Sequence, residues 1–352
     1  MTEPDLIAAP PSELLPVLEA FGLGAPREVR PLGGTGTRKW DVATARGRFV
    51  VRLRAAEFAD GDATRFQHEV LRRLERAGFP VPAPLTAQSG ATWFAQDGNV
   101  YEVLSWIEGE PFSESDSAAV ENLGILLARM HRLFTDNPPR MKNNGSREDH
   151  PDLMRPYLAR LRSLVHDDRQ ERELTDLGRQ LDHVATKLDA GLYASLPRSV
   201  IHGDVHRGNL RFRQARVAAI YDFDYLNVQA RARDLSDGLI SFASRRGEPF
   251  DPDVIHSLVQ PFVPDGPRCQ LLLRGYQSVA PLTEREWQAL PWLIRSRWIQ
   301  MRLRGARKLA EDQRIPFVLH RFFEVIDWLD REAAGFFLAL KQDLRGAGSD
   351  VQ

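Results

Sequence analysis

The single cysteine of this 352-residue chain, Cys269, excludes an intrachain disulfide and any thiolate-clustered metal site. Lacking a second thiol, it reads as a small core residue rather than a nucleophile. No apolar run approaches the roughly 20 residues that cross a bilayer. The opening MTEPDLIAAPPSELL also lacks the basic-then-apolar order of a secretory leader. Neither sign of charge dominates: 47 Lys and Arg oppose 48 Asp and Glu, for a formal net charge of −1. That balance gives no ground for a nucleic-acid or anionic-membrane partner. No internal repeat is apparent. The expectation is a cytoplasmic protein, monomeric or homodimeric. What is present is ordinary for a globular enzyme, 43% hydrophobic and 27% charged, and long enough for one two-lobed unit or two domains.

The most informative stretch is 200–224, VIHGDVHRGNLRFRQARVAAIYDFD. Val200 and Ile201 end a short apolar strand, His202-Gly203-Asp204 turns sharply, and Asn209 follows Asp204 by five residues. A second apolar run, 217–221, delivers Asp222 and Asp224. Joined as a hairpin, the two runs would bring Asp204, Asn209 and Asp222 to one end, where oxygen ligands can converge on a hard cation. The pattern suits a magnesium-nucleotide site and phosphoryl transfer, in which one carboxylate receives a hydroxyl proton while a carboxamide and a second carboxylate hold metal. An isolated HGD would be ordinary turn chemistry. The full run with Asn209 and the Asp-Phe-Asp that follows is not explained that way.

His202-Gly203-Asp204, Asn209, Ile220-Tyr221-Asp222-Phe223 and Asp234-Leu235 together resemble the signature of the aminoglycoside phosphotransferase superfamily. That superfamily includes choline kinases, type II homoserine kinases and spore-coat-type kinases. The resemblance implies an α+β, protein-kinase-like fold in two lobes, a small antiparallel β lobe with one main helix and a larger, mostly helical one. It makes Asp204 the catalytic base, Asn209 and Asp222 magnesium ligands, Asp234 a brace of the catalytic loop, and His202 a structural residue of that loop. ATP and Mg2+ are the implied cofactors, and a small-molecule alcohol the acceptor. Asp224 is left as a second metal ligand or a substrate contact.

Reading along the chain supplies the other half of such a site. Residues 12–22 have helical spacing. Three β-prone runs follow at 29–32, 40–43 and 48–53, the first two separated by Gly33-Gly34-Thr35-Gly36. Glycines there would let backbone amides approach phosphate, although GGTG alone could be a plain hairpin turn. On the third strand Arg52 stands where the kinase-like pattern has lysine. It keeps the charge and adds a planar fork. Glu69, on a helix at 62–78, is the candidate partner of Arg52, with a surface pairing to Arg72 or Arg73 as the alternative.

Strands at 93–96 and 100–106 meet at Asp97-Gly98-Asn99, a hairpin signal. The run 105–109, SWIEG, resembles the superfamily's hinge, which would turn the Ser105 carbonyl and Ile107 amide toward adenine. The implied division is 1–104 as the nucleotide-binding lobe, 105–109 as hinge and 110–352 as the helical lobe with the substrate site. Beyond the hinge, helical periods run over 120–134, 153–165, 169–192, 251–262, 268–279, 284–309 and 317–340, and the polar stretch 137–151 is expected to be the most mobile loop. A Thr283-to-Glu286 capping box opens the helix at 284. Arg295, Arg297, Arg302, Arg304, Arg307 and Lys308 on that helix form either a solvated basic face or a wall that reads an anionic group. The C-terminal pattern leans toward a homoserine-like amino alcohol over an aminoglycoside, a choline-like compound or a sugar. A protein-serine kinase and a nucleotide-binding pseudokinase are the rival readings.

Overall fold

The computed structural model describes residues 11–33, 38–135, 139, 149–251 and 253–346. Gly34 and Gly36, and all of the polar loop 137–151 except residue 139 and residues 149–151, lie outside that set. Helix α1 (Leu14–Ala20) precedes strands β1 (Pro26–Leu32), β2 (Lys39–Thr44) and β3 (Gly47–Leu53), helix α2 (Gly61–Arg76) and strands β4 (Phe94–Gln96) and β5 (Asn99–Ser105). The strands form one antiparallel sheet in the order β1-β2-β3-β5-β4. Period-two alternation divides its faces. Trp40, Val42, Val51, Tyr101 and Val103 stand on one side and close a core with Leu14, Val17 and Leu18 of α1. The register Lys39↔Arg52 and Arg52↔Glu102 places three charged residues side by side on the other face.

Helix α2 starts where Asp60 accepts from the amides of Asp62 and Ala63 at 3.0 and 2.9 Å. Its apolar face, Phe66, Val70, Leu71 and Leu74, joins the core of the helical lobe rather than that of the sheet. The helix therefore fixes the sheet to the second lobe.

That lobe contains α3 (Ser117–Thr135), α4 (Pro151–Arg162), α5 (Asp168–Lys187), α6 (Ala190–Ala194), β6 (Arg198–Ile201), β7 (Leu210–Arg213), β8 (Arg216–Ile220), β9 (Asn227–Ala230), α7 (Ala232–Phe242) and β10 (Ser244–Arg246). It continues with α8 (Ile255–Leu258), β11 (Phe262–Pro264), α9 (Gly266–Gln277), α10 (Glu284–Gly305), α11 (Glu311–Leu319), α12 (Phe322–Arg331) and α13 (Ala333–Gly346). Helices α3 and α9 cross with backbones touching. A Cβ on Gly124 would lie 2.1 Å from the Leu272 carbonyl oxygen, and one on Gly275 2.2 Å from that of Glu121. Only glycine on both helices permits that approach. No helix among the described residues is long and apolar enough to cross a membrane.

Four sequence expectations are corrected. The runs ending at Ile201 and Asp222 are not partners: β6 pairs with β9, and β8 pairs with the intervening β7. Among the described residues of 251–262 the only helix is the four-residue α8, which Pro261 cannot extend because it has no amide to donate. Residues 317–340 are broken at Arg321, whose φ of 50° is left-handed, into α11 and α12, and again before α13. The helix expected over 169–192 ends with α5 at Lys187, and Asp189 caps a separate α6 by accepting from the Leu192 amide at 2.8 Å.

Candidate active site

The loop after β6 is fixed from beneath by one buried carboxylate. Asp234, in the first turn of α7, accepts from the backbone amides of His202 and Gly203 at 2.7 and 2.8 Å. His131 of α3 holds the carboxylate through Nε2 at 3.1 Å, and its Nδ1 lies 2.8 Å from the Tyr276 hydroxyl. Burial pushes the Asp234 carboxyl up, yet the hydrogen bond and charge of His131 leave it below the ordinary range. Gly203 has φ +79°, and a Cβ there would sit 2.5 Å from the Tyr225 carbonyl oxygen, so the turn requires glycine. His202 donates from Nε2 to the Tyr221 carbonyl at 2.8 Å and accepts the Asp204 amide on Nδ1 at 3.2 Å. With both ring nitrogens engaged by backbone groups it ties the loop to Tyr221.

The loop presents Asp204 and Asn209 to one another. The Asn209 side-chain amide donates to the Asp204 carbonyl at 3.0 Å and to its Oδ2 at 3.3 Å. With its nitrogen given to Asp204, the carboxamide has its oxygen left as an acceptor. The Tyr221 amide donates to the Asn209 carbonyl at 2.8 Å, which delivers the next residue, Asp222, to the same place. Asp222 has φ 62° and ψ 67°, a left-handed conformation that is costly for a residue with a Cβ and is found at sites that use it. Its Oδ2 lies 3.0 Å from Lys39 Nζ and its Oδ1 3.4 Å from Arg52 Nη2. Burial favours the neutral acid, but Arg52 and then Lys39 hold Asp222 well below the usual carboxylate range. The carboxylate therefore already collects cations.

Asp204 is set apart from Asp222 by its partners. Arg297 of α10 reaches Asp204 Oδ1 through Nη2, and His206 Nε2 lies 3.4 Å from Oδ2. Against burial, His206 and then Arg297 keep it far below the ordinary range, so it is ionised at neutral pH. Arg297 is itself held by Asp237 at 2.8 Å and by the Gln300 side-chain oxygen at 2.9 Å, and Asp237 also pairs with Arg233 at 2.7 Å.

Arg52 does not meet Glu69. Glu69 is exposed on the outer side of α2, because the face that turns inward carries His68 and the apolar residues. The carboxylates around Arg52 are Glu102 at 3.2 Å, Asp222, and Asp224 in closest contact. Glu102 also takes Arg54 at 2.7 Å and His68 Nε2 at 2.7 Å. Thus α2 contributes His68, not Glu69, to the charged cluster. Asp224 stands as a buried partner of Arg52. Its carboxyl is raised by burial, and its Oδ1 has no hydrogen-bond partner among the described residues.

A model of the phosphotransferase enzyme family, the aminoglycoside phosphotransferase group, matches residues 28–273. The chain belongs to this family. A homoserine kinase of Acidiphilium cryptum (strain JF-5) is 27% identical over 290 residues, 81% of this chain and 82% of that protein. Among solved structures, amicoumacin kinase hAmiN in complex with AMP-PNP, Ca2+ and Ami gives a TM-score of 0.64 over 89% of this chain and 94% of that one, at 16% identity. A choline kinase from Cryptosporidium parvum gives 0.59 over 89% and 93%, at 12% identity. The protein is accordingly a small-molecule phosphotransferase of α+β, kinase-like, two-lobed fold.

In this phosphotransferase the connection between lobes is anchored at two points. Ser105 exchanges bonds with Ala83, its amide donating to the Ala83 carbonyl at 2.9 Å and its hydroxyl accepting the Ala83 amide at 2.8 Å. The Ile107 carbonyl takes the Tyr221 hydroxyl, so the segment 105–109 is tied to the residue next to Asp222. Gly33 ends β1 against Asp253 of the helical lobe.

The basic helix is not a solvated face along most of its length. Arg295 is buried with Gln180 and Asp330, Arg297 with Asp204, and Arg302 with backbone carbonyls, while Arg307 and Lys308 are exposed. Sequence reasoning missed Lys39, Glu102, Asp237 and the individual role of Arg297. A glutamate in the apolar strand 100–104 was the one legible signal, since an isolated charge in a buried run needs a partner.

Proposed function

We propose that this phosphotransferase uses ATP and Mg2+ to phosphorylate the hydroxyl of a small, acid-bearing alcohol, a homoserine-like amino alcohol in first place. The observation that carries the reading is that the loop holds Asn209 against Asp204 and ties Asp222 to Asn209 through the Tyr221 amide, with Arg297 beside Asp204. Asp204 would orient the acceptor hydroxyl and take its proton as the bond to phosphorus forms. So strongly ionised a carboxylate is a weak base, which suits a transfer that depends on placement and charge more than on early deprotonation.

A divalent cation held by Asn209 and Asp222 would neutralise charge on the phosphates. Two oxygen ligands are few, and magnesium commonly completes its shell from phosphate and water. Arg297 favours an acceptor with an acid group near its hydroxyl, because its guanidinium, though shared by Asp204, Asp237 and Gln300, keeps positive charge beside the acceptor position. A cationic acceptor such as choline or an aminoglycoside gains nothing from that arginine. The homoserine kinase relative supports the same choice.

The experiment is ADP release across homoserine, choline, an aminoglycoside and a sugar, with Asp204→Asn and Asp222→Ala as controls. Turnover on homoserine or a related hydroxy acid, falling about 100-fold or more in both variants, is the expected result. Turnover only on a cationic acceptor, or wild-type rates in both variants, overturns it. Nucleotide binding with no turnover on any acceptor would favour a pseudokinase.

A further inference from the structure

We propose that Lys39 of β2, not Arg52 of β3, is the side chain that grips the nucleotide phosphates, and that Arg52 is a fixed counter-ion beneath it. The inference rests on the kinase reading above. Lys39 and Arg52 are direct partners in the β2–β3 register, so their side chains leave the same face of the sheet, toward the catalytic loop.

Their situations differ in what movement would cost. The Arg52 side chain is only 4% exposed and touches Glu102, Asp222 and Asp224, of which Glu102 is 2% exposed and Asp224 9%. Drawing Arg52 out toward a ligand would take the close partner from buried Asp224 and one of three partners from buried Glu102, a loss that a new phosphate contact would not offset. Lys39 is 21% exposed, and Asp222, itself 24% exposed, is its ion-pair partner. An ammonium on a flexible four-carbon stem can leave a half-open carboxylate at small cost and meet another anion within the same reach.

Position supports the same division. Lys39 opens β2, and its Nζ stands 3.0 Å from the carboxylate assigned to the cation of a nucleotide complex. A charge there sits where phosphate must lie if Asp222 is to share a cation with it.

The test measures nucleotide affinity without turnover. Dissociation constants for ATP and for adenosine are determined by calorimetric titration, in EDTA and in Mg2+, for wild type, Lys39→Met and Lys39→Arg, with melting temperatures to verify folding. A phosphate contact predicts that Lys39→Met weakens ATP binding by about tenfold or more, leaves adenosine binding unchanged, and is largely rescued by Lys39→Arg. ATP affinity within about twofold of wild type, or tighter, would mean that Lys39 only masks Asp222, and would overturn the proposal. Parallel loss of ATP and adenosine affinity would also overturn it by indicating a structural role. A wild type that binds no ATP removes the kinase reading itself, a result separate from the other two.

Discussion

Arg297 is the residue on which the proposed chemistry of the acceptor side turns, because it touches Asp204 and two neighbours at once. Burial alone would raise the Asp204 carboxyl, and His206 followed by Arg297 hold it down. Replacing Arg297 with Ala removes one of those two cations, so the folded pKa of Asp204 must rise toward the ordinary value. A base has to be ionised to work, so the acid limb of the kcat/KM profile should move to higher pH in Arg297→Ala. The KM for an acid-bearing acceptor should increase by about tenfold or more. Rate profiles between pH 4 and 8 check the first effect, and initial rates against acceptor concentration the second. A KM for the acid-bearing acceptor within about twofold of wild type would detach Arg297 from the acceptor site.

The element that carries Arg297 is α10, and its other buried arginine explains why it can be placed so firmly. Arg302 is fully buried and donates to the carbonyls of Val259, Phe317, Val318 and His320, the last three in and just after α11, with its guanidinium 4.0 Å over the Trp298 ring. Burial pushes its pKa down to about 9. A helix C-terminus leaves carbonyls without intrahelical donors, and here one side chain satisfies them. Arg302→Met should leave these acceptors unsatisfied and destabilise the protein by about 3 kcal/mol or more. Exposed Arg307→Ala should stay within about 0.5 kcal/mol of wild type. Urea unfolding of the two variants measures both. A small loss in Arg302→Met would show that water replaces the guanidinium, and with it that α10 is not fixed by this residue.

At the scale of the molecule, the site stores a pH dependence. Glu102, Asp204, Asp222 and Asp234 all have folded pKa values below their unfolded ones, in each case with cationic or hydrogen-bonding partners overcoming burial. A lowered carboxylate pKa contributes stability that is present above the unfolded value, about 4, and is lost as pH falls toward the folded one. Asp224, raised by burial, opposes this in part. The melting temperature should therefore be nearly flat from about pH 6 to 8 and fall steeply below about 5. Replacing Glu102 with Gln should lower stability at neutral pH and flatten that fall, because Arg52, Arg54 and His68 lose a common partner. A pH series of thermal scans decides the point.

What the sequence determined by itself was whatever is local in the chain. The motif 202–209 sets its own turn because Gly203 must be left-handed and Asp204 and Asn209 are five residues apart. The strands of the small sheet were readable from β-prone runs between turn residues, and the capping box at Thr283 and Glu286 from four residues. Glu69 failed for a reason the sequence contains only weakly. It lies beside His68 on α2, and which of the two turns inward depends on how the helix seats on the second lobe.

Tertiary structure alone decided the rest. Lys39 and Arg52 are 13 positions apart and meet through strand register, and Glu102 joins them from a third strand. Arg297 lies 93 residues from the aspartate it touches. Charge is long-ranged and indifferent to chain order, so a run of arginines on α10 reads as a solvated face until packing shows which of them is buried and beside what.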